Sequence, residues 1–119
     1  MKKRVVVTGM GAMTPMGLDR ASTWEGLVNG RSGIGPITKF DASEYPTRIA
    51  GEVKDFDPTT VLERKEVRRN DPFVWYSLAA TQEAMDDAGL ETGAGNPDRF
   101  GVIIGSGIGG LTTWEAQHR

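Results

Sequence analysis

Three glycines near the carboxyl end of the sequence have the spacing of a phosphate-binding turn. Gly105, Gly107 and Gly110 follow an apolar run and precede a polar helix start at Leu111. In the dinucleotide fingerprint, glycines at this spacing let the backbone approach a pyrophosphate at a helix N-terminus. The acidic residue expected about 20 positions later would lie beyond Arg119. The motif alone therefore leaves two interpretations open: a dinucleotide site, or a crowded crossing of chain segments at which any Cβ would clash.

A second candidate is a group of four basic residues, Arg64, Lys65, Arg68 and Arg69, which we call the basic cluster. On a helical wheel these cations fall within roughly 140° of arc. Such a run is commonly a solvated helix face. In a chain with 14 basic and 16 acidic residues, however, it also produces a local positive field that could steer an acidic partner. Both interpretations remain open at this point.

The sequence lacks the residue types on which most nucleophilic and metal sites depend. It contains no Cys and a single His, His118, which has no second His or Cys to complete a ligand set or a triad. A disulfide, a zinc-thiolate site and a thiol nucleophile are therefore excluded within these residues. We expect no catalytic group, no metal and no cofactor here.

Charge and hydropathy bear on further classes. The formal net charge of -2 argues against general nucleic-acid binding, which needs a basic excess. No apolar run approaches the roughly 20 residues of a membrane span. Gly9 and Gly11 also interrupt the first apolar run well before the length of an export signal. We therefore expect a cytoplasmic protein that binds neither nucleic acid nor membranes.

The elements that must position these groups alternate between strand and helix, which indicates an α/β fold. Residues 5–7 and 100–104 are β-branched or apolar runs typical of strands buried on both faces. Three helices are predicted: one with a capping box at Ser22 and an end at Gly30, one from the N-cap Asp71 through Pro72 to Gly89, and one that begins at Leu111. Residues 31–60 are expected to be irregular, apart from an edge strand at 48–53.

These elements are too few for a complete domain. Two parallel-type strands and three helices do not cover a sheet on both faces. The last helix also has no terminator before Arg119. We expect residues 1–119 to be the opening piece of a larger domain, cut within a helix, and to be poorly folded when expressed alone.

Several short motifs follow one another along the chain. They are Arg4-Val5-Val6-Val7-Thr8-Gly9-Met10-Gly11, Thr14-Pro15-Met16-Gly17, Ser32-Gly33-Ile34, Phe40-Asp41, Ala50-Gly51-Glu52-Val53, Arg64-Lys65-Glu66 and Gly105-Ser106-Gly107-Ile108-Gly109-Gly110. In this order they resemble the N-terminus of the β-ketoacyl-acyl-carrier-protein synthases, most closely the bacterial type II elongating enzyme. The resemblance covers essentially the whole sequence.

The resemblance implies a fold and an activity for the parent protein. Members of this family have the thiolase-like fold, with stacked layers of helices and mixed sheets, and they work as homodimers. They elongate fatty acids by decarboxylative condensation of malonyl-acyl carrier protein with an acyl chain bound to a cysteine. That cysteine and two assisting histidines lie downstream of the segment that matches residues 105–110, and His118 matches neither histidine.

The resemblance also implies roles for two groups of residues. Lys65, Arg68 and Arg69 match positions at which the family docks the acidic acyl carrier protein. Ile108 matches a position near the acyl pocket, and Gly107 beside it leaves room for the acyl chain. The glycines would then serve close packing and an acyl tunnel. Two alternatives are a dinucleotide-binding half-domain of an oxidoreductase and a non-catalytic relative that has lost its nucleophile.

Overall fold

The computed structural model describes residues 2–91, 93 and 95–118. Its helices are α1 (Arg20–Val28), α2 (Arg64–Val67), α3 (Pro72–Ala88) and α4 (Leu111–His118), and its strands are β1 (Ile34–Pro36) and β2 (Ile49–Gly51). Short 3-10 turns occupy Pro58–Thr60 and Pro97–Arg99. The chain divides into two compact units: the small unit, Ala12–Phe56, and the large unit, formed by the residues up to Gly11 and those from Asp57 onward. Within the described residues, every helix is too short or too polar for a transmembrane span.

Helix α1 begins earlier than the sequence predicted. Asp19 is its N-cap, and the Asp19 carboxylate accepts hydrogen bonds from the Ser22 amide at 2.6 Å and the Ser22 hydroxyl at 2.7 Å. The capping box predicted at Ser22 is therefore wrong, because the carboxylate upstream satisfies the free amides of the first turn. The predicted end is confirmed: Gly30 has a φ of +63°, and the next amide, that of Arg31, donates to the Gly26 carbonyl at 2.9 Å.

The small unit contains an antiparallel pair of strands. Strands β1 and β2 pair with Gly35 opposite Ala50. The edge strand predicted at 48–53 is confirmed, although the observed strand is shorter. One residue after β2, the Glu52 carboxylate accepts hydrogen bonds from the Thr38 amide at 3.1 and 3.2 Å and from the Thr38 hydroxyl at 2.7 Å. These bonds connect the segment that follows β1, at Thr38, to the segment that follows β2, at Glu52.

Helix α3 has the bounds that the sequence predicted. Asp71 precedes it with extended backbone, Pro72 occupies its first turn, and Gly89 ends it with a φ of +63°. Its small residues allow a very close approach by the backbone at Gly9 and Gly11: a Cβ built at Gly9 would fall on the Ala84 carbonyl, and one built at Gly11 on that of Ala80. This helix therefore packs against residues 9–11 along its alanines.

The two buried strands predicted at 5–7 and 100–104 are not formed. Neither segment has a ladder partner among the described residues, and both are solvent-exposed, to 91% at Val5 and 97% at Ile103. A strand exists only when a neighbour pairs with its backbone amides and carbonyls. The apolar runs therefore carry the composition of buried strands without the neighbours that would bury them.

Candidate functional site

Residues 106–110, which we call the glycine loop, lead directly into α4. Within the loop, Ile108 has a φ of +56° and Gly110 a φ of +80°. Left-handed backbone costs an L-residue about 1–2 kcal/mol, and β-branched residues tolerate it poorly. The Ile108 side chain is 83% exposed, so its own burial does not offset that cost. Backbone strain of this kind is concentrated at functional sites, where the surroundings hold it in place.

The space around the loop differs from one glycine to the next. A Cβ built at Gly105 or Gly107 would meet nothing within 4 Å, whereas one at Gly109 would lie 3.0 Å from the Phe73 ring. The crowded crossing considered from the sequence is therefore wrong for Gly105 and Gly107, and at Gly110 a Cβ would make only an ordinary contact, 3.4 Å from the Asp71 carboxylate. The crowded position is Gly109, which is not one of the three motif glycines. The loop rests on the start of α3 at Gly109 and is open beside Ile108.

Asp71 connects the start of α3 to the start of α4. Its carboxylate accepts a hydrogen bond from the Thr113 hydroxyl at 2.8 Å and another from the Thr113 amide at 3.3 Å. Thr113 is the third residue of α4, so its amide is one of the donors that have no partner within the helix. A cavity of about 170 Å³ lies between residues 71–73 and 106–112.

This arrangement disfavours the dinucleotide interpretation of the glycines. In that fingerprint the pyrophosphate sits at the helix N-terminus, where it accepts the free backbone amides and meets the positive end of the helix dipole. Here the Asp71 carboxylate already occupies that position at α4. A pyrophosphate at the same place would be repelled by the carboxylate.

The basic cluster is exposed, but it does not form one continuous helix face. Arg64, Lys65, Arg68 and Arg69 are all exposed. Helix α2 ends at Val67 and Arg68 is its C-cap, so the single helix expected through Arg69 is wrong. In the turn that follows, the Glu66 carbonyl accepts hydrogen bonds from the Asn70 side chain at 2.9 Å and from the Arg69 amide at 3.0 Å. The exposed charges lie on α2 and on the turn that follows it.

Nearby carboxylates modify the field of the basic cluster only weakly. Arg69 approaches Glu66 at 3.8 Å with both side chains exposed, and such pairs contribute little. The pKa of Asp57 is held below its usual value mainly by hydrogen bonds from the Thr59 hydroxyl and amide, with a smaller effect of the Arg64 charge. The cations therefore remain accessible to a partner.

His118 and Trp114 are in contact with each other on α4. Their rings stack with centroids 5.4 Å apart and planes 2° from parallel. Trp114 is nevertheless 63% exposed, as is Trp24 to 66%, so neither indole is packed in a core. Among residues 2–91, 93 and 95–118, no group of three or more His, Cys, Asp or Glu side chains is placed to hold a metal ion.

Comparison with known proteins places this structure in a family. Residues 2–119 match the family model described as the N-terminal domain of β-ketoacyl synthase. The chain belongs to the β-ketoacyl synthase family. The resemblance drawn from the sequence motifs is thereby confirmed.

Two relatives of this β-ketoacyl synthase chain carry the same name. The chain is 54% identical over 116 residues to a Synechocystis sp. protein named 3-oxoacyl-[acyl-carrier-protein] synthase 2, and 49% identical over 117 residues to a Coxiella burnetii protein of the same name. Each alignment covers 98% of this chain but 28% of the relative. The chain therefore spans well under a third of the length of these curated relatives.

A solved structure supports the thiolase-like fold of the ketosynthases. The ishigamide ketosynthase/chain length factor is 36% identical to this chain, with a TM-score of 0.68 over 76% of this chain and 23% of that one. The observed elements, four helices and one short antiparallel pair among the described residues, are the part of that fold represented here.

Two features of the site were not anticipated from the sequence. Asp71 was recognised as an N-cap of α3, but its carboxylate bonds Thr113, 42 residues away, and no local pattern indicates such a pair. The left-handed backbone of Ile108 was missed because turn propensity assigns that conformation to Gly, Asn or Asp.

Proposed function

We propose that these 119 residues are the N-terminal segment of a β-ketoacyl-acyl-carrier-protein synthase of fatty acid elongation. The observation that carries this proposal is the family match over residues 2–119, joined to relatives named synthase 2 at 54% and 49% identity. The complete enzyme condenses malonyl-acyl carrier protein, with loss of CO₂, with an acyl chain held as a cysteine thioester. Since these residues contain no Cys, the nucleophile belongs to the remaining part of the enzyme.

The rest of the enzyme completes the layered fold. The runs at 5–7 and 100–104 are apolar and exposed, with Val7 at 79% and Val102 at 83%. We assign them to mixed sheets of the stacked layers, because unpaired apolar strands are stable only when other strands and helices cover them. The complete enzyme is proposed to be a cytoplasmic homodimer.

The basic cluster is the proposed docking surface for acyl carrier protein. Lys65, Arg68 and Arg69 are exposed and lie close together in the chain. Exposed cations of this kind raise the association rate with an acidic partner more than they raise the final affinity. The short α2 with its following turn presents these charges without burying them.

The glycine loop is the proposed wall of the acyl pocket. Ile108 is exposed and holds a strained backbone, and the space beside Gly107 is open. An apolar side chain at this place contacts the acyl chain, while the absence of a Cβ at Gly107 leaves room for it. Both roles are what the family resemblance implies for these positions.

The activity is tested in a chimera in which these 119 residues replace the matching 116 residues of the Synechocystis synthase. We expect the chimera to condense malonyl-acyl carrier protein with an acyl donor and to release CO₂. A folded dimeric chimera without condensation activity would contradict the proposed function and would favour the non-catalytic relative.

The docking surface is tested by reversing two charges in the chimera, Arg68→Glu with Arg69→Glu. The association rate with acyl carrier protein should fall, and its dependence on ionic strength should flatten, because screened long-range attraction is lost. The matched control is Lys2→Glu with Lys3→Glu, which makes the same change in net charge at exposed residues elsewhere. Equal effects of the two double variants would show that only net charge matters.

The acyl pocket is tested by Ile108→Phe in the same chimera. The bulkier ring should shorten the acyl chain that the enzyme accepts while leaving the melting temperature nearly unchanged, since Ile108 is largely exposed. Steady-state rates with short and long acyl donors measure the effect. Equal losses for both donors would mean that Ile108 does not line the pocket.

A further inference from the structure

Asp71 stands at the start of α3 without using its side chain to cap that helix. It is the N-cap residue of α3, yet its side chain makes no capping hydrogen bond there. The backbone supplies one bond instead, from the Val74 amide to the Asp71 carbonyl at 3.0 Å. The carboxylate is directed to Thr113 on another helix.

At α4 this carboxylate takes the place of a missing cap. The residue before α4 is Gly110, which has no side chain to accept the free amides of the first turn. Both carboxylate oxygens of Asp71 are used, Oδ1 by the Thr113 hydroxyl and Oδ2 by the Thr113 amide. A negative charge there also complements the positive end of the helix dipole.

Asp71, the N-cap of α3, and Phe73, in its first turn, both contact the C-terminal end of the glycine loop. Asp71 fixes the start of α4 just after Gly110, and a Cβ at Gly110 would be 3.4 Å from its Oδ2. The Phe73 ring lies close against Gly109. Ile108 lies immediately before this clamped pair with its φ of +56°. A β-branched residue keeps such a backbone only when its surroundings impose it.

We propose that Asp71 is a positioning residue that holds Ile108 in its left-handed conformation and thereby sets the acyl-chain length that the synthase accepts. This inference rests on the proposed function of the complete enzyme. Asp71 does not touch the acyl chain; it acts through Thr113 and the glycine loop. Without this carboxylate the glycine loop is no longer held, and the wall of the acyl pocket can change shape to accept acyl chains of different length.

The test uses the full-length chimera with Asp71→Ala, Asp71→Asn and Thr113→Val. Amide hydrogen exchange at residues 106–114 should accelerate about fivefold in Asp71→Ala, the factor that corresponds to one lost helix cap. The ratio of kcat/KM for long and short acyl donors should move toward one. Asp71→Asn, which still accepts a hydrogen bond, should lie between the alanine variant and the unaltered chimera, and Thr113→Val should shift the ratio in the same direction.

The matched control is Asp57→Ala. Asp57 bonds the hydroxyl and amide of Thr59 at 2.7 and 2.9 Å, the same pair of groups, but within its own turn. The Asp57→Ala variant should leave unchanged both the amide hydrogen exchange of residues 106–114 and the ratio of kcat/KM for long and short acyl donors. Comparable melting temperatures for the Asp57 and Asp71 variants exclude a general loss of folding. If Asp71→Ala does not fold, the chain-length ratio of Thr113→Val tests the positioning role.

The outcomes separate this inference from the function on which it rests. An unaltered chimera without condensation activity contradicts the proposed function. An active chimera whose Asp71→Ala and Thr113→Val variants keep the original chain-length ratio contradicts the positioning role, even if hydrogen exchange accelerates. Unchanged exchange in both variants shows that the carboxylate does not hold the loop.

Discussion

The carboxylate of Glu52 is the most enclosed acidic group that the structure describes, with 8% of the residue exposed. Hydrogen bonds from the Thr38 hydroxyl, and then from the Thr38 amide, hold its pKa below the usual 4.5, and the charge of Lys39 acts in the same direction. A lowered pKa means that folding favours the ionised form. The carboxylate therefore contributes stability above pH 4.5, and that contribution is lost as the pH falls through the lowered pKa.

Glu52→Gln should remove this acid-sensitive part of the stability. Urea unfolding of the chimera from about pH 7 to about pH 3 should show a constant deficit for the variant at the upper end, which shrinks as the carboxylate of the unaltered protein becomes protonated. Glu44→Gln, an exposed carboxylate in the same unit, is the control and should give no deficit. A deficit that persists unchanged to the lowest pH would show that Glu52 acts through packing alone.

The backbone conformation of Ile108 could not be predicted from the sequence. The residue type favours a strand, and the family resemblance assigned it a place near the acyl pocket without predicting its backbone conformation. We attribute its left-handed backbone to the packing of Gly109 and Gly110 against Phe73 and Asp71. Such long-range contacts have no counterpart in the local pattern, so the loop could be located from the sequence but its conformation could not.

Among the elements, α3 was predicted most accurately because local signals determine both of its ends. Proline in the first turn and a left-handed glycine at the end act within a few residues. The strands predicted at 5–7 and 100–104 were wrong for the opposite reason, since a strand depends on partners distant in the chain. Helix α2 was not among the three predicted helices; the helical wheel drawn over residues 64–69 treated them as one continuous helix, whereas α2 ends at Val67.

The close approach of the Gly9–Gly11 backbone to α3 predicts a severe effect of one added methyl group. Gly11→Ala in the chimera should destabilise it by about 1–3 kcal/mol or more, because the new Cβ would fall on the backbone carbonyl of Ala80, which cannot move without distorting α3. The free energy of urea unfolding measures the loss.

Gly35→Ala provides the matched control for that prediction. At Gly35 a Cβ would meet only the flexible end of Lys54, at 3.8 Å, which is an ordinary contact. We expect a change within about 0.5 kcal/mol, as for most substitutions away from packed sites. Equal effects at Gly11 and Gly35 would contradict the close packing of residues 9–11 on α3.

Taken as a whole, the chain leaves most of its large apolar side chains in contact with water. Of the apolar side chains that the structure describes, Ala42 alone is buried, at 9% exposure. Val5, Val102 and Ile103 exceed 80% exposure in the large unit. Apolar surface of this extent marks a region that another part of a protein covers.

We therefore expect the isolated 119 residues to bind a hydrophobic dye strongly and to self-associate, whereas the chimera should do neither. Dye fluorescence and sedimentation of the two proteins at equal concentration measure the difference. A sharp cooperative melt from a monomer without dye binding would show that the isolated chain is stable with this surface exposed.

The hydrogen bonds between Asp71 and Thr113 also set an order of events during synthesis. The two residues are 42 positions apart. At roughly 5–20 residues per second, several seconds separate their appearance at the ribosome, whereas a helix such as α3 relaxes in about a microsecond. Helix α3 therefore forms before Thr113, the partner of the Asp71 carboxylate, has been synthesised. The glycine loop acquires its shape only once Thr113 has emerged. During that interval the Asp71 carboxylate lacks its partner on α4 and is available to cap α3 instead.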